Sequence, residues 1–372
     1  MKILYIGHYR EGTGWGNAAI EYILAMHSAG LDVVCRAIKL NDVDPEVPAL
    51  IDELEAKSIK GCDVCIQHVL PHMIDYNGKF DKNIALYATE TSNFKKTTWA
   101  EKINTMDEAW VINQEMVEVS RASDVSIPIK VVPHACSMSK YERSYPRLEL
   151  PTEDKFTFYF IGEVIRRKNL VALLKAFHLV FDSSEPVSLV IKTNKSGMSP
   201  EECQGHVLEM CDTVKNNLKL HSKIEDYSRE IIITQRLTEE QICSLHQHCD
   251  CFVMPSFGEA WCIPAFDAMG FGNTPICSNS GGMSDFVGKS GFLVDGAWEP
   301  VFGMTETFSD LCTGYEDWFN INVRELGNTM RTVYENRHKS SLKEMSNKGF
   351  DMAEEYSHEN IGNLIKELLN AS

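Results

Sequence analysis

An apolar run from Cys249 to Met254 leads straight into Pro255-Ser256-Phe257-Gly258-Glu259-Ala260-Trp261-Cys262-Ile263-Pro264-Ala265-Phe266-Asp267-Ala268-Met269. The run reads as a buried strand. Pro264 stands where a helix should begin, because its missing N–H costs nothing in a first turn. The chain therefore passes from strand through a tight loop to a helix, with Glu259 in the loop and Asp267 in the first turns of the helix. A helix start offers free N–H groups and the positive end of a dipole, which suits a phosphate. An ionised carboxylate only accepts hydrogen bonds, so an acid beside such a site can grip the hydroxyls of a sugar or ribose. The same unit also occurs in α/β proteins as an ordinary strand end with solvated acids.

The strand–loop–helix unit recurs along the chain. Residues 2–7 read as a strand, His8 to Asn17 as a glycine-rich loop, 18–29 as a helix and Leu31 to Ala37 as the next strand, a βαβ opening. The loop glycines, 12, 14 and 16, miss the G-x-G-x-x-G spacing of a dinucleotide site. They can instead let a ligand approach the backbone closely. Short strands follow at Val64–Gln67, Ala85–Ala88, Glu108–Ile112 and Ile129–Val132, with helices at Trp99–Asn104 and Glu115–Ala122. Residues 137–154 are polar, with Pro146 and Pro151, and read as a linker or excursion.

A second series opens at Phe156–Gly162. It runs through a helix at 169–181, a strand at Val187–Lys192, a helix at Glu202–Leu218 and a strand at Glu230–Thr234. Thr238 and Gln241 have the spacing of a capping box at the start of the next helix. Beyond the Cys251 strand and the Pro264 helix, a strand begins at Pro275 and ends at Ser280-Gly281-Gly282. Helices follow at about 323–336, 338–355 and Ile361–Leu369. The expected division is 1–150 for an N-terminal acceptor-side domain, 151–355 for a C-terminal donor domain, and 356–372 for a helix crossing back to the first. A chain of 372 residues exceeds what one core usually serves.

The net charge of -17 argues against a nucleic-acid partner or a broad anionic-lipid surface. The N-terminus lacks the basic, apolar and small-residue order of a signal peptide, and no apolar run is long enough to span a membrane. Most of the 12 cysteines lie in apolar contexts, as buried free thiols do. Cys62 and Cys65 have metal or redox spacing, but no second pair or histidine follows at zinc-finger distance, so no metal site is expected. A reducing cytoplasm fits these features.

Pro255, Ser256, Glu259, Ile263, Pro264, Asp267, Ala268 and Met269 resemble, in order, the donor motif of family 4 retaining glycosyltransferases, the glycosyl transferases group 1. Gly162-Glu163-Val164-Ile165-Arg166-Arg167-Lys168-Asn169-Leu170, ahead of Leu173-Leu174-Lys175-Ala176-Phe177, resembles a second motif of that family. Ala260 and Cys262 replace two usual glycines, and Glu163 replaces the usual arginine. The resemblance covers essentially the whole chain. It implies the GT-B fold, an α/β architecture of two Rossmann-like parallel-sheet domains facing a central cleft.

The resemblance further implies a hexose transferred with retention from a nucleotide-diphosphate sugar, UDP- or GDP-linked, to a hydroxyl acceptor, without cofactor or metal. The acceptor is left open among a sugar, a glycan, a lipid or another hydroxyl compound. Glu259 takes the place of the acid on the sugar hydroxyls, Asp267 that of the acid on the ribose, and Lys168 that of the lysine on the diphosphate. Arg167 is favoured over Arg166 as the second cation. The N–H groups of Cys262 and Ile263 face the diphosphate in this reading, Gly14 and Gly16 lie near the donor phosphates, and Gly281 and Gly282 lie beneath the sugar. Glu90, where many members have a histidine, either orients an acceptor hydroxyl or merely caps a helix. His134 reads as a hinge or core residue. A nucleotide-sugar epimerase, a phosphorylase and a non-catalytic binding module are the competing functions on the same fold.

Overall fold

A computed structural model describes residues 1–40, 45–305 and 307–371. The chain divides into two compact units. The first holds residues 1–139, 307–316 and those from 353 on; the second holds 140–305 and 317–352.

The first unit is a six-stranded sheet in which every neighbouring pair is parallel. Its strands are β1 (Lys2–Gly7), β2 (Asp32–Ala37), β3 (Val64–His68), β4 (Lys82–Tyr87), β5 (Glu108–Val111) and β6 (Ile129–Val131). They lie in the order β2-β1-β3-β4-β5-β6. Near-continuous apolar runs with short polar breaks produce this, since a parallel sheet is covered on both faces. The covering helices include α1 (Gly14–Ser28), α2 (Ala49–Ala56), α3 (Trp99–Ile103) and α4 (Gln114–Ala122), and a short α5 (Ser139–Glu142) follows β6.

The second unit repeats the plan with β7 (Phe156–Ile161), β8 (Val187–Lys192), β9 (Glu230–Ile233), β10 (Cys251–Met254), β11 (Ile276–Ser278) and β12 (Phe292–Val294). Their order is β12-β11-β10-β7-β8-β9. Between them run α6 (Leu170–Val180), α7 (Pro200–Leu218), α8 (Glu239–His248), α9 (Ile263–Gly270) and α10 (Met283–Phe286). The Thr238–Gln241 capping box is present at the start of α8. An antiparallel hairpin, β13 (Gly296–Pro300) with β14 (Asp317–Ile321), precedes α11 (Val323–Glu335), α12 (Ser340–Glu355) and α13 (His358–Asn370).

The last helix packs on α1. Ile361, Ile365 and Leu369 join the core of the first unit, and a Cβ at Gly362 would stand 2.2 Å from the Ala25 carbonyl oxygen. In both sheets the order reverses beside the first strand, between β1 and β3 in one and between β7 and β10 in the other. Open parallel sheets bind ligands outside the carboxyl ends of strands at such a reversal.

Candidate functional site

At the second reversal the loop after β10 is tied to the turn after β7. Phe257 N–H donates to the Arg167 carbonyl at 2.8 Å, and the Ser256 hydroxyl donates to the same carbonyl at 3.0 Å. Phe257 is itself fixed by stacking on Trp318, ring centres 4.1 Å apart. The tie brings three side chains together. Lys168 Nζ donates to Glu259 Oε1 and Oε2 at 2.7 and 2.9 Å. Arg167 Nη1 donates to Glu259 Oε1 at 2.9 Å and to the Gly258 carbonyl at 2.6 Å.

Arg166 points elsewhere, its guanidinium 5.7 Å from the centre of the Phe257 ring. Glu259 is buried. Burial works to raise its pKa, but Lys168 and Arg167 outweigh it and hold the carboxyl below its usual range. Two cations thus converge on one carboxylate at the end of a parallel sheet.

Helix α9 begins one loop further on. Cys262 is its N-cap, in a left-handed conformation with φ +73°, and Ile263 and Pro264 form the first turn. The Cys262 side chain is buried rather than turned to the rim. Burial, with the nearby charge of Glu259, pushes its thiol up to about 12, so it stays protonated. Asp267 Oδ1 accepts the Tyr141 hydroxyl at 2.8 Å and pairs with Lys140 Nζ at 2.6 Å. Burial works to raise the Asp267 pKa, and the Lys140 charge does most to bring it below its ordinary value.

Gly281 is left-handed too, and a Cβ there would lie 2.1 Å from the Glu259 carbonyl oxygen. The N–H of the adjoining Gly282 donates to that oxygen at 3.1 Å. Gly281 and Gly282 therefore support the backbone that carries the acid. Glu163 is turned to the loop after β8, accepting the Ser196 N–H at 2.9 Å.

In the first unit Gly14 and Gly16 are not loop residues. They lie in the first turn of α1, which starts four residues before the expected position 18 because Thr13 caps it, accepting from Gly16 N–H at 3.3 Å. A Cβ at Gly16 would lie 2.0 Å from the Glu11 carbonyl oxygen, whereas one at Gly14 would meet nothing within 4 Å. Glu90 is half-buried in the loop after β4.

Sequence reasoning reads His134 as a hinge or core residue but passes over His8 and His68, at the carboxyl ends of two strands of this sheet. His8 and His68 lie beside Trp15, ring centres 6.1 and 5.2 Å away. His68 Nδ1 is hydrogen-bonded to the Tyr5 hydroxyl at 2.6 Å, and His134 is buried edge-on to Tyr22 at 6.3 Å. Their recurrence at carboxyl ends of strands was the available signal. Lys140 and Tyr141 were also missed, and nothing local marks them, because they lie in a polar linker far along the chain from Asp267.

Residues 145–301 match the family model described as "Glycosyl transferases group 1". This segment belongs to that family. A curated relative, D-inositol 3-phosphate glycosyltransferase of Corynebacterium jeikeium, is 26% identical over 197 residues, covering 50% of this chain and 44% of the relative. The match thus spans less than half the length of that relative. Among solved structures, Anabaena HepE in complex with UDP is similar with a TM-score of 0.69 at 13% identity, covering 100% of both chains. A sucrose-phosphate synthase from Thermosynechococcus elongatus gives 0.66 at 15% identity, again over 100% of both chains. A trehalose-6-phosphate protein of E. coli bound with UDP-2-fluoro glucose gives 0.70 at 8% identity over 99% of both. The fold is GT-B, with two parallel-sheet α/β domains.

Proposed function

We propose that the protein is a retaining glycosyltransferase that moves a hexose from a UDP- or GDP-linked donor to a hydroxyl acceptor. The observation that carries this reading is the Glu259–Lys168–Arg167 group at the strand reversal of the second unit. As the bond between sugar and diphosphate breaks, negative charge grows on the leaving phosphate. Lys168 and Arg167 offset that charge, and they are preorganised for it because Glu259 and the Gly258 carbonyl already hold them. The N–H groups of Cys262 and Ile263 at the start of α9 add the positive end of a helix.

Glu259 exchanges part of its hold on the cations for hydroxyls of the transferred sugar, above the Gly281-Gly282 support. Asp267, steadied by Lys140 and Tyr141, takes the ribose hydroxyls. In the first unit, Gly14 and Gly16 present the start of α1 to phosphate, and Glu90 orients the acceptor hydroxyl. No protein nucleophile is called for: an oxygen of the departing phosphate takes the acceptor proton. No resident metal is called for either, since the two cations supply the charge. The free cysteines, all buried except the half-buried Cys312, suit a reducing cytoplasm. No helix among the described residues is long and apolar enough to cross a membrane.

The test is nucleotide release from a panel of UDP- and GDP-sugars, with and without mixed hydroxyl acceptors. Product configuration is read by the anomeric proton coupling. The expected result is slow release without acceptor, faster release with one, and a retained anomer. Binding without turnover in every mixture points to the binding module instead, and an inverted product overturns the retaining step.

A further inference from the structure

Among the described residues two lysines are buried, and they differ in one respect. Lys215 lies on the Glu230 carboxylate at 2.7 Å. Lys192 is 8% exposed, and no carboxylate pairs with it. Its Nζ has a single hydrogen bond, to the Thr193 carbonyl at 3.2 Å. An ammonium carries three donors, and a buried one without a counter-ion is costly to the fold.

The place of this cation is specific. Lys192 is the last residue of β8, in register with Ile161 at the end of β7. The backbone beyond it is tied to the turn that leads to Lys168. Gly162 N–H donates to the Lys192 carbonyl at 3.1 Å, and the Thr193 hydroxyl donates to the Gly162 carbonyl at 2.7 Å. The side chain folds forward to the carbonyl of the next residue, so its charge sits at the carboxyl rim of the sheet. Burial lowers its pKa, against a smaller opposing effect of Cys203. Glu163 stands where the resemblance places an arginine, and it is engaged with the Ser196 N–H rather than with this lysine.

We propose that Lys192 is a donor-binding residue, its ammonium meeting an oxygen of the nucleoside diphosphate and replacing the positive charge lost at Glu163. This rests on the donor reading above. The free protein tolerates an unpaired buried cation, and the bound diphosphate supplies the missing acceptors.

Two signatures follow together. Lys192→Met keeps the length and apolar stem of the side chain but removes the charge. The dissociation constant for whichever of UDP and GDP the wild type binds should rise about ten- to a hundredfold, as for one charge-assisted hydrogen bond. The melting temperature without ligand should rise. Lys192→Gln should weaken binding in the same direction. Calorimetry and melting curves on the full chain measure both quantities. Unchanged diphosphate affinity in Lys192→Met overturns the assignment and leaves the donor reading intact. Weaker binding with a lower melting temperature in both variants also overturns it, since Lys192 then serves only to hold the rim together. A wild type that binds neither UDP nor GDP overturns the donor reading, and this inference with it.

Discussion

Glu259 owes its charge to its neighbours. Burial alone would push its proton on, and Lys168 and Arg167 keep it off. The consequence for stability has a definite sign. A carboxyl whose folded pKa lies below its unfolded value of about 4.3 contributes stability above that value. The contribution is lost as pH falls through the folded pKa. Glu259→Gln removes it at neutral pH and takes away the carboxylate that Lys168 and Arg167 both hold. Truncating one partner of a buried ion pair costs about 3–5 kcal/mol, so denaturant unfolding of the variant should show a loss of that order at pH 7, shrinking toward pH 3. Turnover should fall roughly ten- to a hundredfold if the acid also holds sugar hydroxyls, while affinity for free nucleotide changes less. A variant with full turnover would remove Glu259 from the chemistry and leave it a strut between two loops.

At the scale of single elements, the start of α9 is the most instructive. A non-glycine residue at φ +73° carries strain of about 1–2 kcal/mol, and Cys262 bears it at a position where the related motif has glycine. Cys262→Gly relieves the strain but gives up a small buried side chain, so its stability should match or exceed that of the parent. Cys262→Ala keeps the strain and loses the sulfur, so it should be about 1 kcal/mol less stable than the glycine variant. Melting curves of the two variants decide it, and an alanine variant as stable as the glycine one would mean that the left-handed conformation costs nothing here. The start of α1 shows a different physical point. Its first turn holds two glycines, poor helix formers, which hid the true beginning. The Thr13 cap and the contact of Gly16 with the Glu11 carbonyl, which leaves no room for a side chain, outweigh that propensity.

On the scale of the whole molecule, each unit contains a histidine kept neutral by burial. In the first, burial depresses His68 to about 3. In the second, burial brings His246 to about 4 against the opposing charge of Asp267. Their unfolded value is about 6.5. The unfolded chain therefore binds more protons below that value. The stability these groups contribute is complete above it and is lost as pH falls toward 4 and 3. The expected slope is about 1.4 kcal/mol per pH unit for each histidine once pH is well under 6.5. Urea midpoints at pH 7, 6 and 5 should decline for both units, before most carboxylates titrate. A flat response across that window would mean that the histidines charge without unfolding their surroundings.

What was legible in the sequence follows from what is local. The alternation of buried strand and helix, the Thr238–Gln241 cap and the helix at Pro264 depend on residues within a turn or two of each other. The local pattern also places Glu259 just past one strand and Arg167 and Lys168 just past another, whereas their meeting is a matter of sheet order. Tertiary structure decided the partners. It set Lys140 and Tyr141 on Asp267, turned Arg167 rather than Arg166 to Glu259, and gave Glu163 to the Ser196 N–H. It also returned α13 to α1 and placed Phe308 against His72 in the first unit. Periodicity and capping record only a residue's own turn of chain, whereas a buried charge or ring must find its complement wherever the packed fold brings one within reach.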